Sequence, residues 1–167
     1  VLVLVPLAYH STQLAPRSSQ GGEVVMLYED NGIFPRWVFT LGFLPVSRAG
    51  VARFGHGSVA VHKLSEESLA SAMASARFIF IGSHGGKSGL LIDGVYVPPE
   101  RLLEAAAGPN LEYVYLAGCD SGTLRAGWEH AFAPAQVVTY DRLTAVAEHA
   151  WWLWRHGPDA IRRLKAS

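Results

Sequence analysis

The sequence contains one cysteine, Cys119, in 167 residues, so neither an internal disulfide nor a multi-cysteine zinc site can form. A chain so poor in thiols fits a reducing compartment. Charge is also scarce. Charged residues make up 17% of the chain, and 14 Lys and Arg offset 14 Asp and Glu to a formal net charge of zero. That balance provides no basic field for a nucleic acid and no acidic face for a cationic partner, so no nucleic-acid partner is expected. Long apolar runs are missing as well. The longest early one, Val1–Ala8, is too short to span a bilayer and lacks the basic flank of a secretion signal. No membrane association is expected, and the chain reads as soluble and cytoplasmic. It begins with valine, which leaves room for an upstream segment. Glycine- and proline-rich stretches are short (Pro16–Gly22 and Arg48–Gly55), too short for an interdomain linker, and no internal repeat occurs. A single domain over residues 1–167 is expected.

Half of the residues are apolar, and a fold of this length hides roughly 70% of the surface its unfolded chain exposes. Strand-like runs occur at Val1–Leu7, Glu23–Tyr28, Ser58–Lys63, Arg77–Gly82, Glu112–Ala117 and Ala135–Tyr140, each bounded by turn formers. Several are apolar on both faces, as strands inside a helix-covered parallel sheet are. Helical patterns lie between them. Ser65–Ala76 opens on a capping serine and two acids, Pro99–Ala107 has proline in its first turn, and Leu124–Phe132 completes the set. A last helix runs from Asp141 to a Gly157-Pro158 stop. Its expected buried stripe is Leu143, Val146, Ala147, Ala150, Trp151 and Trp154, and Trp151, Trp152 and Trp154 read as core and rim packing. The segment Asn31–Val51 fits either a hairpin turn at Asn31-Gly32 or a short apolar helix over Pro35–Leu44. The expected fold class is α/β, a mostly parallel sheet of about five or six strands with helices on both faces and a small Leu90–Val97 hairpin.

Two of the apolar runs end in small residues and one reactive side chain. Phe78–Gly82 leads into Ser83, His84, Gly85 and Gly86, and Tyr113–Ala117 leads into Gly118, Cys119, Asp120, Ser121 and Gly122. In an open parallel sheet, residues just past the carboxyl ends of neighbouring strands line the ligand crevice. The interval of 35 positions from His84 to Cys119 is long enough for a right-handed crossover that makes the two strands parallel neighbours. There an imidazole can take the thiol proton, the thiolate can attack a carbonyl, and the imidazolium can protonate the leaving amine. Taken singly, a strand-end cysteine is commonly a small buried apolar residue, and a lone histidine is commonly structural. Their matched placement is what points to chemistry.

Other patterns lead nowhere. Gly82–Ser88 imitates a phosphate loop, but Ile81 stands where its first glycine belongs and a hairpin follows instead of a helix. No Gly-x-Ser-x-Gly elbow exists, which argues against a serine hydrolase. The seven histidines lack metal-site spacing, and His149 reads as a polar edge or a hydrogen-bonded packing residue; no metal and no cofactor are expected.

The strand ending His84-Gly85, the strand ending Gly118-Cys119-Asp120-Ser121-Gly122, the hairpin and helix between them (Gly89–Leu103), and the later Gln136–Tyr140 strand and Gly157–Leu164 segment together resemble the caspase-like cysteine peptidases. Within them the likeness is to the CHAT-domain and separase branch. It covers about Ser58–Leu164 and fades over residues 1–50. The resemblance implies a caspase-like three-layer sandwich, Cys119 as nucleophile, His84 as acid and base, and the amides of Gly85 and Cys119 as oxyanion donors. The substrate it implies is a protein or peptide, with a larger sensor or regulatory protein as a partner. The caspase signature around the cysteine is absent, so aspartate specificity does not follow. Arg- or Lys-cutting members often carry an acid two positions before the cysteine, where this chain has Ala117. Asp120 and Asp93 are the expected substrate-binding acids, favouring a basic residue before the cut. The reading from another class is a catalytically inactive module of the same architecture acting as a protein-interaction scaffold.

Overall fold

The computed structural model describes residues 22–30 and 36–165, with residues 36–40 described by backbone alone. The expected Val1–Leu7 strand and the Asn31-Gly32 turn lie outside the described residues. Five strands, β1 (Val24–Tyr28), β2 (Val59–Lys63), β3 (Phe78–Gly82), β7 (Tyr113–Ala117) and β8 (Gln136–Val138), form one sheet in the order β2-β1-β3-β7-β8, every pair parallel. β4 (Gly85–Gly86), β5 (Gly89–Ile92) and β6 (Val95–Val97) form a small antiparallel sheet beside it. The β5–β6 turn uses Asp93 and Gly94, with φ of 48° and 81°, the pair of left-handed residues a tight hairpin requires. The strands expected within the described residues and the Leu90–Val97 hairpin are present, although β8 is shorter than its apolar run.

Strand alternation divides the core into two. One face of the sheet (Val25, Leu27, Ile79, Ile81, Val114, Leu116) meets α2 (Glu66–Ser75), α3 (Arg125–Ala131) and the hairpin residues Leu90, Ile92 and Val97. The other (Val24, Met26, Phe78, Phe80, Tyr115) meets α1 (Arg36–Phe54), α4 (Val146–Arg155) and α5 (Gly157–Arg163) through Phe43, Val46, Leu153 and Ile161. The result is a three-layer α/β sandwich. α2 begins with a capping box in which Ser65 and Ser68 exchange side-chain and backbone hydrogen bonds at 3.0 and 2.9 Å. At the amino edge, Arg77 and Glu112 pair ahead of β3 and β7, and the Lys165 amide donates to Glu112 at 2.7 Å, tying the end of the chain to the sheet. Burial alone would raise the Glu112 carboxyl pKa, but the Lys165 amide and the Arg77 guanidinium together hold it below its ordinary value.

Three expectations change. Residues Asn31–Val51 were open between hairpin and helix; α1 takes Arg36–Phe54 and absorbs most of the Arg48–Gly55 stretch. The helix expected over Pro99–Ala107 is a single 3₁₀ turn, Pro99–Leu102, pinned where Pro99 packs on Gly127 of α3; Leu103 faces solvent. The last helix is α4, starting at Val146 instead of Asp141, and the helical path resumes as α5 with Pro158 in its first turn. Its buried stripe is also the opposite of the expected one. Leu143, Trp151 and Trp154 are 77%, 68% and 52% exposed, and Val146 is exposed too, whereas His149 and Leu153 are buried. The cause is an aromatic ladder: Phe80, Tyr115 and Trp152 stack at 5.2 and 4.0 Å, which turns Trp152, His149 and Leu153 toward the sheet and Trp151 and Trp154 outward. Among the described residues no helix is long and apolar enough to cross a membrane.

Candidate active site

Register sets the geometry. Tyr28 aligns with Gly82, and Gly82 with Ala117, so β1, β3 and β7 end at the same level of the carboxyl edge. Glu29, Ser83 and Gly118 come next, and His84 and Cys119 one residue later. The two strands expected to be neighbours are neighbours, and both His84 and Cys119 line one cavity of about 160 Å³ at that edge.

Glu29 was not foreseen. Its side chain is buried, and its Oε2 accepts from His84 twice, from the backbone N–H at 2.7 Å and from Nδ1 at 2.9 Å, with the Ser83 hydroxyl at 3.3 Å. One carboxylate oxygen thus fixes both the main chain and the ring of His84. With Nδ1–H donating to Glu29, Nε2 is the basic nitrogen of the imidazole. The sequence carried one faint signal, an acid immediately after a fully apolar strand. Only the pairing of β1 with β3 gives that acid a partner.

Cys119 is half-buried and is held from the other side. The Thr144 N–H donates to Sγ at 3.3 Å, and the thiol donates to the Thr144 carbonyl at 3.5 Å. The Thr144 backbone thus fixes the position of the sulfur at the cavity wall. Behind Thr144, its hydroxyl meets His149 Nε2 at 2.8 Å, His149 Nδ1 meets the Tyr115 hydroxyl at 3.0 Å, and Tyr115 meets the Tyr140 hydroxyl at 2.7 Å. Burial pushes the His149 pKa down to about 4 and that of Tyr115 well above its ordinary value, so His149 and Tyr115 are neutral near pH 7. His149 is the hydrogen-bonded packing residue that the sequence suggested.

Gly85 is the point where the two strand ends touch. A Cβ placed there would lie 2.9 Å from the Cys119 nitrogen and 2.9 Å from the Gly118 carbonyl carbon, so only glycine lets the His84 loop rest on the Cys119 backbone. The Leu91 amide donates to the His84 carbonyl at 2.8 Å, which makes Gly85 and Leu90 the non-hydrogen-bonded pair of the small sheet. The Gly85 N–H therefore faces away from β5. Among the described residues the Cys119 amide donates to no backbone carbonyl.

The two acids are not part of the cavity wall. Asp93 sits at the tip of the β5–β6 hairpin, 3.7 Å from Lys63. Asp120 occupies a left-handed turn, φ 50°, where its amide donates to Arg142. The structure thus brings His84, Gly85 and Cys119 together, adds Glu29 and Thr144, and leaves Asp93 at a distance. No protein-family model matches the chain, and no curated protein matches it.

Proposed function

We propose that the protein is a cysteine endopeptidase of caspase-like architecture, hydrolysing peptide bonds of a protein substrate with Cys119 as nucleophile and His84 as general acid and base. The observation that carries this reading is the shared cavity at the carboxyl edge of β1, β3 and β7, lined by Cys119 and by the His84 that Glu29 fixes through Nδ1. His84 Nε2 takes the thiol proton; the thiolate, held by the Thr144 amide, adds to the scissile carbonyl carbon. The Cys119 and Gly85 amides are the donors nearest the developing oxyanion. His84 then protonates the leaving amine, giving an acyl-enzyme that water attacks with His84 as base. Glu29 positions the imidazole, its Oε2 accepting from Nδ1 at 2.9 Å and leaving Nε2 to face the thiol proton. The resemblance of its motifs, and of the order of its elements along the chain, to the CHAT and separase branch supports the same reading.

Alkylation with mass-tagged iodoacetamide near neutral pH tests it. Cys119 should label rapidly in the parent and at least tenfold more slowly in His84→Ala, with Glu29→Gln in between. Equal and slow labelling of the parent and His84→Ala would refute the peptidase reading and leave a scaffold module.

A further inference from the structure

We propose that the cavity beside Cys119 receives the substrate side chain that precedes the scissile bond, and that it selects a large apolar one: leucine, methionine or phenylalanine. The inference rests on the peptidase reading and specifies its substrate. A carbonyl carbon within reach of Sγ places the preceding side chain a few ångströms from the sulfur, where this cavity opens between β7, α1 and α4.

The walls decide the chemistry. Met26, Phe80, Ala117, Ala150 and Leu153 are apolar, and Gly42 contributes open space, since a Cβ there would find its nearest neighbour, Leu153, 4.0 Å away. Several polar groups at the rim are already hydrogen-bonded to one another. His149 bonds through both ring nitrogens, and the Oε2 of Glu29 accepts from the His84 ring and backbone. Among the described residues, an arginine or lysine entering the cavity meets no carboxylate other than Glu29, which already holds the His84 ring and backbone. An aspartate or glutamate finds no lysine or arginine among the described lining residues and has only His84, the proposed acid and base, to turn to. Asp120 and Asp93, the acids expected to favour a basic residue, lie outside the wall. Size agrees with this assignment. An apolar cavity of about 150 Å³ holds a benzene ring, and this one, at about 160 Å³, accommodates a side chain of leucine to phenylalanine size.

The test uses tripeptidyl acyloxymethyl ketones that differ only in the residue next to the reactive group: Leu, Met, Phe, Gly, Arg or Asp. The Cys119 adduct is read by intact mass, with Cys119→Ser as background. The Leu, Met and Phe probes should react at least tenfold faster than the others. Ala117→Asp should reverse the order of Leu and Arg, and Gly42→Leu, which fills the cavity from α1, should slow the Leu probe at least tenfold more than the Gly probe. Arg or Asp probes reacting as fast as Leu in the parent would overturn the specificity and leave the peptidase reading standing. No adduct from any probe, while iodoacetamide still distinguishes the parent from His84→Ala, would overturn the pocket assignment alone. No adduct together with loss of that distinction would overturn both.

Discussion

Replacing Gly85 with alanine puts a methyl group into the junction on which the candidate site depends. The added carbon would lie 2.9 Å from the Cys119 nitrogen and closer still to the Cys119 carbonyl oxygen, where ordinary contacts begin at 3.4 Å. The obstructing atoms are backbone, so no side chain can rotate to make room; the two loops must separate by half an ångström or more. Overpacking of this kind costs about 1–3 kcal/mol. For a chain of this size that lowers the melting temperature by roughly 3–9 °C. The effect on chemistry should exceed the effect on folding, because a displacement of ~1 Å between reacting groups costs about a hundredfold in rate. Gly86→Ala is the matched control, since a Cβ there meets only Tyr96, at 3.6 Å. Differential scanning calorimetry and Cys119 alkylation on both variants decide the matter. Gly85→Ala should melt lower and alkylate roughly ten- to a hundredfold more slowly, with Gly86→Ala close to the parent in both. If the two variants behave alike, the claim that the strand ends are in contact through Gly85 fails.

His149, buried and held neutral with its pKa near 4, should make stability depend on pH. The unfolded chain takes up a proton near pH 6.5 that the folded state does not accept until about pH 4. Its contribution is therefore whole above pH 6.5 and declines through that window by of order 3 kcal/mol. Urea unfolding at pH 7 and pH 4.5 should show a smaller pH difference in His149→Gln; an unchanged difference would show that the ring is not buried as described. Trp151→Ser and Trp154→Ser should each change stability by less than about 0.5 kcal/mol, whereas Leu153→Ala should cost ~2–5 kcal/mol, and the reverse order in denaturant melts would restore the expected helix face. The Thr139 hydroxyl is buried without a hydrogen-bond partner among the described residues. Thr139→Val should therefore gain about 1 kcal/mol, seen as a melting temperature about 2–4 °C higher, and a lower one would mean that the hydroxyl has a partner.

What the sequence made legible was local. Apolar runs bounded by turn formers marked β1, β2, β3 and β7, Ser65 marked the start of α2, and Asp93-Gly94 marked the hairpin tip, because each signal acts over a few residues. Placing His84 and Cys119 at one edge needed one further rule, the handedness of parallel crossovers. Glu29 needed something no local rule supplies: that β1 lies between β2 and β3, in register with both. The orientation of α4 was hidden for a related reason. Its sequence has apolar residues on two faces, Trp151 and Trp154 on one and Trp152 and Leu153 on the other. Which face turns inward was settled by Phe80 and Tyr115 on strands far away in the chain. Past Leu102 the Pro99–Ala107 segment gives up the helical path: Leu103 faces solvent, while Ala105 and Ala107 pack against the core only in part.

The three residues that meet at the carboxyl edge come from strands separated by 55 and 35 positions in the chain, and none is close to another until three strands have paired in parallel. Parallel pairing between distant segments is among the slower steps a chain can take. A nascent or partly unfolded molecule therefore carries His84 without its carboxylate and Cys119 away from His84. Under the proposed peptidase function, competence would arise only when the centre of the sheet closes and would vanish as it opens, an interlock against digestion by immature copies.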